Sequence, residues 1–393
     1  MMKIVFGLLA SCIVLCSGFI AEAENVGDAR LEMIGSTEQI LDRDDLGFST
    51  KPAYPRVHML HDGVYMLAWQ ETIPGRGDDN GRYVRYALSS DLSSWMQMGY
   101  LFKDKRVTNV YGADSERLYS CPEMLVLSGG DIVAVCCFWN LSSYSRIEGR
   151  ADNGIALRRS SDNGRTWSDE EVIFYGQSWE PFLLERPDGT LQCYFSEARP
   201  WIASANSGTS LVESADEGRT WTPALGQRPR RVMRKKYWNP SFERYQFTDQ
   251  MPTGVVLDAD GKMAFAMEDY DMGKYSLGIV FSPADGEWED IKGAEDGPCE
   301  RIDSLSVNAT GPYIVKFPGG EVLVTFTRNQ GMEWPLLYRI GDREAKMFGP
   351  EHKAFDRGGW SSACVDSDDT VVLVAPYAGG RLHLARFKLI KDN

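Results

Sequence analysis

Acidic and basic side chains recur at constant distances from a repeated glycine turn in this sequence. Seven to nine positions before the glycine stand Arg56, Glu123 and Glu180, and their even offsets predict that all three point to one side of an extended strand. Paired carboxylates, one protonated and one ionised, can supply general acid and base catalysis, and arginine can hold an anionic group. Eight positions after the glycine, the copies place Glu71, Phe138, Glu197, Asp269 and Arg328. The pattern predicts a carboxylate-rich ring with two arginines.

Glu180 and Arg56 are the leading individual candidates for chemistry. Glu180 lies between Trp179 and Pro181, and an apolar flank raises the pKa of a carboxylic acid, which suits it to donate a proton. Arg56 follows Pro55, and an inward guanidinium that does not contact a ligand needs a buried anionic partner. For the other strand-end residues, simple solvation is an equal alternative to a role in the site.

The glycine turns belong to five similar segments. In each, an alternating apolar strand runs into a turn that ends in glycine and returns through a strand rich in β-branched and aromatic residues, which is typical of a β-hairpin. The turns lie 59 to 72 residues apart, at Gly63, Gly130, Gly189, Gly261 and Gly320. A sixth, shorter copy starts near Trp360. This period fits one four-stranded unit per repeat.

A second signature lies between these hairpins. The segments SSDNGRTWS (Ser160–Ser168) and ESADEGRTWT (Glu213–Thr222) have Ser, Asp, Gly, Thr and Trp at matching positions. Asp162 and Asp216 can hold the backbone of a turn through their carboxylates. The glycines allow positive φ, and the tryptophans can anchor the turn to the core. We expect these segments to be structural and not catalytic.

Six such units predict an all-β chain folded as a six-bladed β-propeller of four-stranded blades, in which radial repetition protects the sheet edges. The last copy has only three strands, within 361–389, so residues 31–40 are expected to add the fourth and close the ring. Stretches 100–120 and 226–248 are expected to be loops on the functional face. Separate domains would need linkers rich in Pro, Gly or Ser, and none is evident. We therefore expect one domain over residues 24–393.

The first 23 residues have the features of a secretory signal peptide. Lys3 precedes an apolar run over 4–20, and Ala21-Glu22-Ala23 is a small-x-small cleavage signature. A secreted or periplasmic protein is expected. A lipid anchor at Cys12 is an alternative, because the four residues that end there resemble a lipoprotein box. The six cysteines that follow the signal peptide show no readable disulfide pattern.

Charge and composition narrow the possible partners. The 393 residues include 56 acidic and 42 basic side chains, for a net charge of −14, which repels nucleic acid and anionic membrane surfaces. The four histidines have no metal-ligand spacing. We expect no metal or other cofactor, no nucleic-acid partner and no membrane contact apart from the alternative lipid anchor. A monomer is expected.

The repeated hairpins and the Ser-x-Asp-x-Gly-x-Thr-Trp segments resemble the Asp-box propellers of the sialidase superfamily, over essentially the whole mature chain. For a true sialidase, the resemblance implies that Arg56 in YPRVHML is the first arginine of an arginine triad. It also implies that Asp78-Asp79, after the first blade, correspond to the acid/base aspartate.

The chain departs from the sialidase pattern at the remaining positions. Glu268 in MAFAMED stands where the second arginine is expected, and Arg328 is a rough match for the third. Tyr377 is the nearest match for the tyrosine nucleophile. A nonulosonic acid carboxylate normally needs a cationic clamp, so the departure weighs against sialidase activity.

The stretch WEPFL at 179–183, followed by LQCYFSE ending at Glu197, is more similar to glycoside hydrolase family 93, the exo-acting arabinanases on the same propeller. This resemblance implies that Glu180 is the acid/base and that a second catalytic carboxylate begins the next blade. Asp249 in TDQMP is the nearest match there, and Glu197 or Glu268 could take its place.

The resemblance thus implies a secreted, exo-acting glycoside hydrolase with a two-carboxylate mechanism and arabinan-type oligosaccharides as substrates. Two alternatives stay open: an exo-α-sialidase, and a non-catalytic glycan-binding propeller, because a fold does not guarantee an activity. The sugar, the anomeric outcome and the second carboxylate also stay open. The residues expected to bind substrate are Arg56, Glu71, Glu123, Glu197, Glu268 and Arg328.

Overall fold

The computed structural model describes residues 27–75, 80–142, 151–198, 208–239, 243–271, 274–292, 297, 299–329 and 334–391. The predicted signal peptide and both predicted domain limits lie outside these residues and stay predictions. The described chain begins with strands β1 (Arg30–Met33) and β2 (Gln39–Leu41), joined through a 3-10 turn at Gly35–Thr37, and continues into the short helix α1 (Arg43–Leu46). Within the described ranges, neither helix has the length and hydrophobicity needed to cross a lipid bilayer.

The other strands form the sheets of a propeller, in which consecutive strands pair antiparallel. Blade 1 contains β3 (Pro52–Met59), β4 (Tyr65–Thr72), β5 (Gly81–Ser89) and β6 (Met96–Phe102). Blade 2 contains β7 (Lys105–Thr108), β8 (Asp114–Val126), β9 (Ile132–Asn140), β10 (Gly154–Ser160) and β11 (Glu171–Tyr175). Blade 3 contains β12 (Ser178–Glu185), β13 (Leu191–Glu197), β14 (Thr209–Ser214) and β15 (Arg230–Met233).

A separate two-stranded hairpin, β16 (Lys235–Asn239) and β17 (Arg244–Thr248), follows blade 3. Blade 4 contains β18 (Gln250–Val256), β19 (Met263–Asp271), β20 (Lys274–Phe281) and β21 (Arg301–Val307). Blade 5 contains β22 (Ala309–Lys316), β23 (Val322–Arg328), β24 (Leu336–Gly341) and β25 (His352–Phe355). Blade 6 contains β26 (Ser362–Val365), β27 (Thr370–Tyr377) and β28 (Arg381–Ile390), together with β1 and β2.

The blades close into a ring around their innermost strands. Strands β3, β8, β12, β18, β22 and β26 each contact the next in this order, and β26 contacts β3 again. Buried apolar side chains fill the spaces between neighbouring blades, for example Ala264 and Ala266 of blade 4 against Ile314 and Val324 of blade 5. The predicted all-β, six-bladed propeller of four-stranded blades is therefore confirmed.

The N-terminal segment completes the last blade. β1 pairs antiparallel with the C-terminal strand β28, with Arg30 opposite Ile390 and Met33 opposite Phe387, and β2 pairs with the other half of β28. The buried Leu31 also joins blade 5, because its backbone N–H donates to the Tyr338 hydroxyl at 2.9 Å. The expectation that residues 31–40 supply the missing strand and close the ring is confirmed.

Two stretches expected to be loops contain strands instead. Residues 100–120 include β7 and the first half of β8, which pair across a turn where Asn109 Oδ1 accepts from the N–H groups of Tyr111 and Ala113. Residues 226–248 include β15, β16 and β17. The strands in both stretches pair with a strand of the same stretch or of the same blade. This pairing satisfies the hydrogen-bonding groups of their backbone. The six cysteines of the described chain are all free thiols.

In the first five blades the innermost strand carries a residue of positive φ at the same place, and in blade 6 the corresponding residue lies two positions before β26 begins. These residues are Tyr54, Cys121, Glu180, Met251, Gly311 and Trp360, with φ between 45° and 60°. In the first five blades the next residue is proline and the strand register shifts around the pair, as in a β-bulge. Proline has no N–H to lose from the ladder, so a bulge suits it.

The bulge overturns the expected common orientation of Arg56, Glu123 and Glu180. Arg56 and Glu123 each follow the bulge proline directly, whereas Glu180 is itself the residue of positive φ before Pro181. A count of alternating positions is valid only along an uninterrupted strand. Glu180 therefore corresponds to Tyr54 and Cys121.

Asp162 and Asp216 hold two outer turns in the same way. Asp162 Oδ1 accepts from Ser160 Oγ at 2.8 Å and from the Thr166 N–H at 2.8 Å, and its Oδ2 accepts from the Thr166 hydroxyl at 2.6 Å. Asp216 makes the corresponding bonds with Ser214 and Thr220. The turn glycines have positive φ, as predicted. The hydrogen bonds to Thr166, first from its hydroxyl, lower the pKa of Asp162 to about 2.

We expect replacement of Asp162 by Asn to lower the thermal midpoint of unfolding at neutral pH, because the ionised carboxylate is the form that these donors stabilise. A carboxylate whose pKa is lowered on folding contributes stability above its unfolded value, near 3.8, and loses it as pH falls toward about 2. The midpoints of wild type and Asp162→Asn, measured by circular dichroism, should therefore converge across that range. Asp169→Asn, on the same turn, is the control; a difference that persists unchanged at pH 2 would contradict this account.

Candidate functional site

The two faces of the disc differ in what they present. The hairpin turns share one face, where Asn163 Nδ2 in the outer turn of blade 2 donates to Asp62 Oδ2 in the first turn of blade 1 at 3.0 Å. The opposite face, called the axial face below, is where the innermost strands begin. The bulges lie near these starts, so the axial face is where residues from all six blades meet.

The bulge residues form an apolar floor at the hub. Tyr54, Cys121 and Met251 are buried together, and half-buried Trp179 and Trp360 pack on them. The rings of Tyr54 and Trp360 are stacked, with centroids 5.0 Å apart. Side chains from blades 1, 2, 3, 4 and 6 therefore close the hub at this level.

Glu180 stands at the edge of this floor. It occupies the bulge position of blade 3 with φ of 45°, and it is half-buried. Burial raises the pKa of the Cys121 thiol well above its usual range, and the charge of Glu180 acts in the same direction. The structure thus places the Glu180 carboxylate beside the hub, flanked by Trp179, as the sequence suggested. Its role as proton donor stays a prediction.

Glu268 approaches the same region from blade 4. Its Oε1 accepts from the N–H of Gly311, the bulge residue of blade 5, at 2.7 Å, and the residue is 8% exposed. Burial raises the pKa of the nearby Tyr275 to about 12, and the charges of Glu268 and, more weakly, Glu180 add to that effect. Tyr275 therefore lies within electrostatic reach of both carboxylates. Its phenol stays protonated near neutral pH, so it can donate a hydrogen bond.

Aromatic side chains continue the site outward from Tyr275. Tyr270 packs edge-on against Tyr275, with ring centroids 5.1 Å apart, and Tyr237 on β16 lies 4.8 Å from Tyr270. Trp238, next along β16, is 53% exposed. Amphipathic rings of this kind can pack against the C–H surfaces of a ligand and keep their polar atoms in water. The sequence analysis did not identify Tyr237, Tyr270 and Tyr275 as site residues.

Asp249, the expected second catalytic carboxylate, lies in a buried ion-pair network. Its two oxygens accept from Arg301 Nη1 and Nη2 at 3.0 and 2.8 Å, and the residue is fully buried. Asp269 is also fully buried and accepts from Lys235 Nζ at 2.7 Å. Burial raises the pKa of Asp269, and the neighbouring Asp249 carboxylate acts in the same direction. The geometry therefore favours Glu268 over Asp249 as the partner of Glu180, and a catalytic Asp249 stays a prediction.

Three other expected site residues have hydrogen-bond or ion-pair partners within the fold. Glu71 accepts from the backbone and hydroxyl groups of Ser49 and Thr50 and from Tyr83, which ties the entry segment to blade 1. Glu197 accepts from Ser210 at 2.8 Å and from Arg231 at 3.3 Å. The third, Arg328, pairs with Ser306 and Glu351. Each of these charges therefore has a partner within the fold, and the predicted ring of strand-end charges and the substrate-binding role of these residues stay predictions.

Arg56 and Glu123 pair with each other beneath the hub. Arg56 Nε donates to Glu123 Oε2 at 2.9 Å, and the two residues are 5% and 2% exposed. His58 Nε2 lies 3.0 Å from the other oxygen of Glu123, and the guanidinium of Arg56 lies over the ring of Tyr313, 5.3 Å from its centroid. Arg56 thus has the buried partner that an inward arginine needs in the absence of a ligand. That Arg56 or Glu123 contacts substrate stays a prediction, and their pairing with each other counts against it.

The residues implied by the sialidase resemblance are only partly described. Asp78-Asp79 lie outside the described residues. Tyr377 ends β27 in blade 6, under the Arg381 guanidinium at 5.1 Å, and lines a cavity beside the hub. Of the two proposed clamp arginines, Arg56 is paired with Glu123 and Arg328 with Glu351.

One signal in the sequence could have located the hub residues. Proline follows the bulge residue in five of the six copies, at Pro55, Pro122, Pro181, Pro252 and Pro312. Alignment on these prolines, in place of the turn glycines, brings Glu180 into register with Tyr54 and Cys121. The same alignment would have assigned Glu180 and Arg56 to different positions of the repeat.

The chain is similar to glycoside hydrolases on the same fold. No protein-family model matches it. It is 28% identical over 136 residues to a sialidase from Micromonospora viridifaciens, a match that covers 29% of this chain and only 20% of that protein. A Dyadobacter fermentans protein of unknown function has a TM-score of 0.62 at 15% identity, covering 93% of this chain and 100% of that one. An α-L-arabinanase from Penicillium chrysogenum, solved with arabinobiose, has a TM-score of 0.58 at 17% identity, covering 91% and 98%.

These similarities define a class for the fold. The chain is a glycoside-hydrolase-like propeller with the six-bladed architecture that the resemblance to the sialidase superfamily implied. Its activity is a separate question, because the identities to the solved structures are low.

We expect Arg56→Met to destabilise the fold by about 3–5 kcal/mol, because it leaves the buried Glu123 carboxylate without its charged partner. The double variant Arg56→Met/Glu123→Gln should recover part of that loss, since it removes both charges. Urea unfolding measures both values. If Arg56 instead served substrate binding alone, the single variant would keep wild-type stability and the double variant would show no recovery.

Proposed function

We propose that the chain is an exo-acting glycoside hydrolase whose catalytic carboxylates are Glu180 and Glu268. The observation that carries the proposal is that both groups lie at the hub: Glu180 occupies the bulge position of blade 3, and Glu268 accepts from the N–H of the bulge residue Gly311. The charges of both also act on Tyr275. Hydrolysis of a glycosidic bond needs two carboxyl groups, one to protonate the leaving oxygen and one to attack or to activate water.

The surroundings favour different states for the two groups. The Gly311 N–H donates to Glu268 Oε1 at 2.7 Å, and a donor from the backbone stabilises the ionised form. Glu180 is half-buried at the bulge position next to the apolar floor that Trp179 and the other bulge residues form, and an apolar setting is typical of a carboxyl group that donates a proton. We therefore assign proton donation to Glu180 and the ionised role to Glu268, with the Tyr275 hydroxyl as a hydrogen-bond donor to the sugar.

The aromatic groups outside the hub support a carbohydrate ligand. Tyr237, Trp238, Tyr270 and Tyr275 form a wall on the blade 4 side of the carboxylates. Such a wall at the end of the site fits an enzyme that acts on a chain terminus. Arabinan-type oligosaccharides are the first substrates to test, in line with the sequence resemblance and the similarity in fold to an α-L-arabinanase.

An exo-α-sialidase is the second candidate, and the partial identity to a sialidase favours it. The ion pairs of Arg56 and Arg328 count against it, because a clamp for a sugar carboxylate needs arginines that face the ligand. Release of the chromophore from an aryl sialoside but not from an aryl arabinoside would replace the first candidate with the second. For either enzyme, residues 1–23 support export, which N-terminal sequencing of the mature protein would test.

We expect Glu180→Gln and Glu268→Gln each to lower kcat on the substrate that the wild type cleaves by about 10²–10⁴-fold, because each removes a proton-transfer or charge-stabilising group. Steady-state kinetics on aryl arabinosides and arabino-oligosaccharides measures the loss. Glu217→Gln, exposed on the opposite face, is the matched control and should keep wild-type kcat.

Asp249→Asn separates the two candidates for the second carboxylate. Under our assignment it weakens the pairing with Arg301 and lowers stability, while kcat changes by less than about tenfold. A loss of kcat as large as that of Glu180→Gln would move the second role from Glu268 to Asp249. Unchanged turnover in both glutamate variants, or glycan binding by the wild type without turnover of any glycoside, would remove the two-carboxylate mechanism.

A further inference from the structure

Side chains of one blade hold the bulge of the next blade. In three places a side-chain oxygen accepts the N–H of a bulge residue: Gln70 accepts from Cys121 at 2.6 Å, Ser196 from Met251 at 2.8 Å and Glu268 from Gly311 at 2.7 Å. Gln70, Ser196 and Glu268 each lie seven residues after the turn glycine of their own blade. We call this place in the repeat the acceptor position. Its side chain fixes the backbone of the neighbouring bulge.

Blade 2 has a thiol at the acceptor position, that of Cys137. Its Sγ lies 3.8 Å from Ser178 Oγ, where β12 of blade 3 begins. The thiols of Cys137 and Cys121, the bulge residue of blade 2, share a hydrogen bond. The Cys121 sulfur also accepts from the backbone N–H of Glu180, the bulge residue of blade 3. Two sulfur atoms of blade 2 therefore contact the short segment of β12 that carries the candidate proton donor.

The strand register explains why these two thiols meet. Cys137 on β9 lies opposite Ser120 on β8, and the register shifts immediately after Ser120, at the bulge. Cys121 has φ of 52° there, and its side chain is buried in the apolar floor of the hub. The adjacent Cys136 packs instead in the core that blades 1 and 2 share, since successive side chains of a strand point to opposite faces. Cys121 and Cys137 thus form a pair to which Cys136 does not belong.

Both thiols of the pair are buried and uncharged. Cys121 is 1% exposed and Cys137 is 2% exposed. Burial raises the pKa of each thiol, and the negative charge of Glu180 acts in the same direction. The acceptor of the Glu180 N–H is therefore neutral near pH 7. It can hold the Glu180 backbone without adding a second negative charge beside the Glu180 carboxyl group.

We propose that the Cys121–Cys137 pair holds Glu180 in place at the hub and so positions it for proton transfer. The Cys121 sulfur fixes the Glu180 N–H, and Cys137 in turn fixes the Cys121 thiol. Positive φ is a costly conformation for glutamate, and surrounding contacts must maintain it. Misplacement of a reacting group by about 1 Å can cost about 10²-fold in rate. The inference rests on the proposed function, because it concerns how well Glu180 performs its part there.

Substitutions of the two thiols test this positioning role. Cys121→Ala removes the acceptor of the Glu180 N–H, and we expect it to lower kcat on the substrate that the wild type cleaves by about 10–10²-fold with little change in KM. Cys121→Ser supplies a hydroxyl acceptor and should recover most of the lost kcat. Cys137→Ala removes the support of the Cys121 thiol and should lower kcat to a smaller extent. Steady-state kinetics measures both constants.

The matched control is Cys136→Ala, which removes an equally buried thiol from the opposite face of β9. It should lower the thermal midpoint of unfolding about as much as Cys137→Ala does and keep wild-type kcat. An equal loss of kcat in Cys136→Ala and Cys121→Ala would show a general effect of core packing and would overturn the proposal. Failure of Cys121→Ser, when folded, to recover any kcat would overturn it as well.

Hydrogen–deuterium exchange separates the positioning contact from the proposed activity. Mass spectrometry of overlapping peptides that contain Glu180 measures the protection of its N–H without any substrate. That amide should exchange about tenfold faster in Cys121→Ala than in the wild type, Cys121→Ser or Cys136→Ala. If the wild type cleaves no glycoside, faster exchange in Cys121→Ala still supports the contact, so the two proposals can fail separately. Equal exchange in the wild type and Cys121→Ala would overturn the positioning of Glu180 by the thiols, whatever the kinetics show.

Discussion

The bulge on each innermost strand is the constraint on which the rest of this structure depends. One residue per blade takes positive φ there, at a cost of about 1–3 kcal/mol where it is not glycine, and its N–H leaves the strand ladder. A side-chain oxygen of the preceding blade accepts that N–H in three places. The pairs are Cys121 with Gln70 at 2.6 Å, Met251 with Ser196 at 2.8 Å and Gly311 with Glu268 at 2.7 Å. The same backbone feature therefore locks blades together and decides which side chains reach the hub.

Several buried carboxylates of this chain are compensated by partners within the fold. An ionised group taken out of water costs several kcal/mol unless a partner or several donors compensate it. Glu123 meets this cost through Arg56, Asp249 through Arg301, and Glu71 through the donors of the entry segment. Residue type alone does not distinguish these groups from Glu180 and Glu268. The charges of both act on Tyr275, which only folding brings near them.

Much of the fold could be predicted from the sequence, because the signals are local and repeated. Period-2 strands, glycine turns and the Asp162 and Asp216 turns each depend on a few adjacent residues, and their regular spacing predicted six blades. The strand that closes the ring could be predicted from the number of strands, because the sixth copy has three strands and a four-stranded blade needs one more. The stretch 226–248 was expected to be a loop, but it contains β15 and the hairpin of β16 with β17.

The sequence by itself determined the propeller and its closure by the N-terminal segment, because repeat period and strand alternation are properties of neighbouring residues, and the apolar neighbours of Glu180 made it a candidate. Tertiary structure alone decided which charges meet, Arg56 with Glu123 and Asp249 with Arg301, and it brought Tyr275 within reach of the charges of Glu180 and Glu268. A single bulged residue reverses the face on which every later side chain of a strand points. Partners 50 to 100 residues apart in sequence therefore follow from the register of strands and the order of blades, which no local pattern specifies.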